Sequence, residues 1–251
     1  MNKLPQITLA FWIMKICATT LGETAGDLLS MTLEVGYAMS SLILISVFAV
    51  TLLGQLATKR YHPALYWLVI LSTSTAGTTI SDFMDRSLGL GYAAGSALLI
   101  ALLGATFTAW YFSEQSLSVE RIRTRKGELF YWFAILFSNT LGTALGDFLA
   151  DDSGLGFAGG ALLIGTSIGL VVALRLCTRV SPVALFWAAF VLTRPFGATL
   201  GDVLTKPLNK GGLDFGTLGS SLVLLSVLIA LVVGAMWHGR RAQPSLPAVT
   251  S

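Results

Sequence analysis

Four times in this chain a tryptophan is followed, fifteen residues later, by an aspartate: Trp12 and Asp27, Trp67 and Asp82, Trp132 and Asp147, Trp187 and Asp202. Each aspartate closes one motif of glycine, three residues, a small residue and the acid. Gly22 and Gly26 precede Asp27, Gly77 and Ser81 precede Asp82, Gly142 and Gly146 precede Asp147, and Gly197 and Gly201 precede Asp202. The surrounding segments are strongly apolar, and even the mild insertion scales set the cost of an ionisable group in hydrocarbon at about 2.5 to 3.5 kcal/mol. An internal repeat that keeps such a group in every unit constrains fold and function together.

With 54% hydrophobic and 12% charged residues among 251, and a mean hydropathy of +0.76, the chain is too apolar for an ordinary soluble domain. Apolar stretches near 7–29, 37–57, 63–84, 91–112, 128–150, 156–176, 182–203 and 215–237 each have the roughly twenty residues that cross a bilayer core as helix. None alternates as barrel strands do. The expected fold is all-α: a polytopic membrane protein with eight transmembrane helices in four parallel hairpin repeats.

Lys3, Lys59, Arg60, Arg121, Arg123, Arg125, Lys126, Arg175, Arg179, Arg240 and Arg241 fall on one side of that topology. The positive-inside rule makes this side cytoplasmic, with both termini inside and the protein in the inner membrane. Glu34, Asp85, Arg86, Asp151, Asp152, Lys206, Lys210 and Asp214 fall in the outer connections. The net charge of +3 thus reports orientation, and no nucleic-acid partner is expected. The apolar run after Lys3 is read as a retained span and not a cleaved leader, because it carries Trp12 and Asp27 in repeat register. Cys17 and Cys177 have no metal or redox spacing, so no disulfide is expected.

Successive aspartates lie 55, 65 and 55 residues apart, and the ten extra residues fall in a polar stretch between the second and third units. The chain divides accordingly into a first half, 1–112, with repeats 1 and 2; a cytoplasmic linker, 113–127; a second half, 128–238, with repeats 3 and 4; and a flexible cytoplasmic tail, 239–251. Each even helix opens with an aromatic residue, Tyr37, Tyr92, Phe157 or Phe215, the last displaced by a longer turn at 206–212. From Trp12 to about Trp237 the pattern resembles a family of bacterial membrane proteins of unknown function, built from four tandem two-helix repeats that each carry a tryptophan. The resemblance implies this architecture and supplies no catalytic residue.

A rise of 1.5 Å per residue sets each aspartate about 22 Å beyond its tryptophan. The tryptophans are therefore expected as interfacial anchors and the acids toward the outer half, at one depth. Stepping back by helical turns gives each acid a polar stripe: Thr19 and Glu23 below Asp27, Ser74 and Thr78 below Asp82, Asn139 and Thr143 below Asp147, Arg194 and Ala198 below Asp202. Gly22, Gly26, Gly77, Gly142, Gly146, Gly197 and Gly201 suit close helix packing, or hinges in a broken helix. Lys15 is expected to snorkel to the cytoplasmic boundary, and Arg194 to pair with Glu23 or an aspartate. Set against these two cations, five carboxylates leave three net negative charges.

Such a cluster suits cations or protons. The candidate ligands, Glu23, Asp27, Asp82, Asp147 and Asp202, are all oxygen donors; His62 and His238 lie at the cytoplasmic edge. Mn²⁺, Mg²⁺ and Ca²⁺ fit this set, whereas copper and structural zinc do not. Nucleotide-binding and hydrolase motifs are absent, and no resident cofactor or enzymatic activity is expected. The leading expectation is a proton-coupled secondary transporter exporting a divalent, Mn²⁺-like ion. Its partners are the lipid bilayer, the cation and protons, and a homo-oligomer is compatible with it. A passive cation channel, an intramembrane aspartyl hydrolase and a non-transporting scaffold are the alternatives.

Overall fold

A computed structural model describes residues 4–241, apart from the side chains of Lys210 and of 238–241. Lys3, the side chains of Lys210, His238, Arg240 and Arg241, and the tail from 242 onward lie outside the described residues. The rest forms eight long helices: α1 Leu9–Asp27, α2 Tyr37–Ala57, α3 Pro63–Asp82, α4 Tyr92–Glu114, α5 Arg125–Asp147, α6 Gly156–Cys177, α7 Pro182–Thr205 and α8 Thr217–Arg241. Among the described residues there is no strand. Starts are set locally, by the Thr8 and Thr124 hydroxyls accepting from the Phe11 and Gly127 N–H groups, and by Pro63 and Pro182 in the first turns of α3 and α7.

Six helices, α2 and α4 to α8, are long and apolar enough to cross a membrane. The other two carry much of the polar stripe: Lys15, Glu23 and Asp27 on α1, and a hydroxyl-rich run from Ser72 to Ser81 on α3. Those side chains are buried inside the protein, so the low apolarity of α1 and α3 reflects what they turn toward their neighbours.

The odd helices form an inner square in the order α1, α3, α5, α7, with α7 returning to α1. Each even helix packs outside this square on the next repeat's odd helix, α2 on α3, α4 on α5, α6 on α7, and α8 back on α1. The repeat is a hairpin along the chain but not in its packing, and the last helix closes the ring on the first.

The motif glycines make the inner square possible. A methyl group added at Gly22 would meet Ser74, at Gly77 the backbone of Asn139 and Thr140, at Gly142 Arg194, and at Gly197 Thr19. One turn on, Gly26 faces Thr78, Gly146 faces Ala198 and Gly201 faces Glu23. Each helix therefore seats the polar stripe of the next against its own bare backbone. All four odd helices run unbroken through these glycines, which here serve close packing. Irregularity comes after the acids instead, where α1, α3 and α5 widen into five-residue π-helical turns, Leu28–Thr32, Phe83–Ser87 and Phe148–Asp152. The chain then turns through left-handed glycines, Gly36, Gly91, Gly156 and, after the longer fourth connection, Gly216.

The tryptophans are not interfacial anchors. Trp67, Trp132 and Trp187 are buried and Trp12 half-buried, because they stand between odd helices in an aromatic layer. Its members include Phe11, Tyr66, Tyr131 and Phe190, with ring centroids about 5 to 6 Å apart. The Tyr66 and Tyr131 hydroxyls share a hydrogen bond of 2.7 Å, and Trp187 Nε1 donates to the Leu117 carbonyl at 3.0 Å. Cys17 and Cys177 form no disulfide.

Helix contact through glycine predicts a position-specific cost. A Cβ at Gly77 would sit 2.9 Å from the Thr140 backbone nitrogen, whereas one at Gly104 on α4 meets nothing within 4 Å. Gly77→Ala is expected to lose about 1–3 kcal/mol; Gly104→Ala should be neutral or gain up to about 1 kcal/mol. Thermal unfolding in detergent compares the two.

Candidate functional site

The stripes of the four odd helices meet at the centre of the square in layers four residues apart, about 6 Å each. The aspartate layer comes first. Asp27, Asp82, Asp147 and Asp202 are all buried, and two cations tie them in pairs. Arg86 Nε lies 3.1 Å from Asp82 Oδ1 and its Nη2 3.0 Å from Asp147 Oδ2. Lys206 Nζ lies 3.1 Å from both Asp27 Oδ2 and Asp202 Oδ1. Each cation stands four residues after its own aspartate and reaches the aspartate of the next repeat in the ring. Arg86 is braced by donating to the Tyr37 hydroxyl at 3.2 Å and by lying over the Tyr37 and Tyr92 rings.

Arg86 and Lys206 were expected in the outer connections, apart from the charged stripe, and their bridging role is the main feature the sequence reading missed. The i, i+4 spacing to Asp82 and Asp202 was the available signal. The equivalent positions in repeats 1 and 3 hold Met31 and Asp151, so the ion pairing is two-fold where the aspartates are four-fold.

Below the aspartates, Glu23 and Arg194 form a buried ion pair on the axis. Glu23 Oε2 accepts from Arg194 Nη1 at 2.9 Å, from Thr143 Oγ1 at 3.1 Å and from Thr78 Oγ1 at 3.3 Å. Arg194 Nη2 donates to the Thr143 and Thr78 hydroxyls and to the Ser74 carbonyl. One carboxylate and one guanidinium thus join all four inner helices. The expected pairing of Arg194 with Glu23 is the one observed.

The next layer holds Thr19, Ser74 and Asn139. Thr19 donates to the Thr193 carbonyl at 3.2 Å and Asn139 Nδ2 to Thr73 Oγ1 at 2.9 Å. Lys15 does not snorkel: it is fully buried, donates to Asn139 Oδ1 at 3.4 Å and stands 4.1 Å from the Phe190 ring centroid.

Four cations, not two, therefore face the five carboxylates. One negative charge is left if all are ionised, instead of three. Among the carboxylates, Glu23, Asp147 and Asp202 offer one oxygen each within 4.8 Å of one another. Three oxygens from three helices, with threonine hydroxyls beside them, can take up a proton or a hard cation. Asp27 and Asp82 belong to no comparable group among the described residues.

Three substitutions probe these pairings. Arg194→Met, which strands Glu23, is expected to cost about 3–5 kcal/mol, while the Glu23→Gln, Arg194→Met double variant recovers most of it. At Lys206, burial opposes the charge, but Asp202 and Asp27 outweigh it and hold its pKa above the ordinary lysine value. A raised folded-state pKa gives stabilisation that is complete below the unfolded lysine pKa, about 10.4, and lost as pH rises through the folded value. Lys206→Met should therefore cost about 2 kcal/mol, with a melting-temperature gap from wild type that stays level between about pH 8 and 10.

No curated protein matches the chain, and no solved structure matches it. A family model does, four times: Repeat of Unknown Function (DUF347) covers residues 10–61, 65–116, 130–181 and 185–241. Each match takes in one odd helix and the even helix after it, in register with the four tryptophan-to-aspartate units. The chain is a four-repeat membrane protein of the DUF347 family.

Proposed function

We propose that this chain is a proton-coupled secondary transporter of a hard divalent cation of the Mn²⁺ type, exporting it across the inner membrane through eight spans with both termini in the cytoplasm. The observation that carries this reading is the convergence of Glu23, Asp147 and Asp202, buried and from three different helices, to within 4.8 Å on the axis of the bundle. Intramembrane acids that face a bundle interior mark ion or proton pathways. An oxygen-only donor set favours Mn²⁺, Mg²⁺ or Ca²⁺ over softer metals.

Coupling follows from charge. With one net negative charge, a single proton neutralises the empty cluster, and an arriving divalent ion overshoots unless that proton and one tethered cation both leave. Lys206 suits that exchange: its side chain is 21% exposed and ends a helix, so its ammonium can swing to solvent. Arg86 and Lys206 bridge the aspartates at one end of the inner square, and the buried rings of Tyr66, Trp67, Tyr131 and Trp132 pack toward the other. Such packing suits alternating access better than an open channel.

Reconstitution tests the proposal. Proteoliposomes containing the wild type should show saturable Mn²⁺ flux driven by a pH gradient, and Glu23→Gln should lower it at least about tenfold, with the variant still monodisperse on size exclusion. Equal flux in wild type and Glu23→Gln across a panel of divalent ions would refute it.

A further inference from the structure

We propose that the transported cation uses one seam of the ring, between α5 and α7, and that Asp151 steers it there; this rests on the transporter reading. Four pairs of neighbouring aspartates surround the axis. Arg86 bridges Asp82 to Asp147, and Lys206 bridges Asp202 to Asp27. Among the described residues no Lys or Arg bridges Asp27 to Asp82 or Asp147 to Asp202. The two tethered cations show what a neighbouring aspartate pair holds: a positive charge about 3 Å from an oxygen of each.

The repeat dictates which residue would reach the other two places. Arg86, Met31 and Asp151 occupy the same position in their π-helical turns, four residues after Asp82, Asp27 and Asp147. A thioether and a carboxylate supply no positive charge, so a cation held between the two acids of these seams would have to come from solution.

The two seams differ in depth and at the mouth. Glu23 adds a third oxygen to Asp147 and Asp202, and no comparable group includes Asp27 or Asp82. At the bridging position the α5–α7 seam has Asp151, with Asp152 beside it, both exposed, whereas the α1–α3 seam has Met31, an exposed apolar side chain, with its nearest acid, Glu34, three residues further on. Negative charge at an opening concentrates cations and speeds their arrival. The α5–α7 seam combines an acid at the bridging position with a three-oxygen floor. Asp151 is a steering residue at that doorway and not a ligand.

The repeat also supplies the test. Asp151→Arg places a guanidinium where Arg86 stands in repeat 2, so it should clamp Asp147 to Asp202 and block the seam with a built-in cation. Mn²⁺ flux in proteoliposomes should fall more than about tenfold, and the rise in melting temperature that Mn²⁺ gives the purified wild type should vanish. Met31→Arg, the equivalent change at the other seam, should keep flux within about threefold, and Asp152→Arg, the same charge change one residue on, should raise the KM for Mn²⁺ while keeping the maximal flux within about threefold. Asp151→Asn should raise the KM for Mn²⁺ and flatten its dependence on ionic strength, with kcat unchanged. Equal loss in Asp151→Arg and Asp152→Arg would overturn the proposal, as would loss in Met31→Arg with Asp151→Arg intact. Should the wild type bind Mn²⁺ by thermal shift but not move it, the transporter reading fails, and loss of the shift in Asp151→Arg alone still upholds the seam. A wild type that neither binds nor moves Mn²⁺ overturns both.

Discussion

Five carboxylates can stay inside an apolar bundle only if their oxygens reach positive partners on other helices, and backbone separation sets that reach. The glycines one and five residues before the acids, with Ser81 at one such position, bring the inner helices close enough for Glu23 to touch Thr78, Thr143 and Arg194 together. Take away the close approach and the same residues become isolated charges, each needing water or a proton. Packing and electrostatics here are one constraint, because the faces left bare by glycine are the faces on which the neighbouring polar stripes rest.

The repeat lays down a four-fold scaffold and a few substitutions break it. Glu23, Arg194 and Lys15 each occur in one unit, and the cation after the aspartate occurs in two. The result is a column of alternating charge along the axis, from the bridged aspartates through the Glu23–Arg194 pair to Lys15 over Phe190. A strictly symmetric ring of four acids would carry the full repulsion of its members. The asymmetric one nearly balances, and the balance is local, since most charges have an opposite partner about 3 Å away.

Much of this was legible in the chain. The eight apolar stretches correspond to eight helices, and the tryptophan-to-aspartate spacing set the inner helices in common register with the acids brought together. Boundaries erred where a polar turn is held by a cap: α5 begins at Arg125, ahead of its apolar run, because Thr124 caps a first turn rich in charge. Depth was easier to read than azimuth. Hydropathy locates Lys15 and the tryptophans along the bundle axis but not on the face that points inward, so composition alone assigns a buried cation and an aromatic layer to the membrane interface. Arg86 was hidden differently, in a π-helical turn that counts as loop when read from composition, although its spacing from Asp82 was in plain view.

The seating of α8 on α1 has a consequence for assembly. Synthesis delivers α1 before α8, so this surface of α1 stays without its neighbour until the six helices between them and α8 itself have emerged. Contacts that distant in sequence close slowly. In the meantime Lys15, Glu23 and Asp27 have no Asn139, Arg194 or Lys206 beside them, so the polar face of α1 stays without its partners until α5, α7 and the turn after α7 are made.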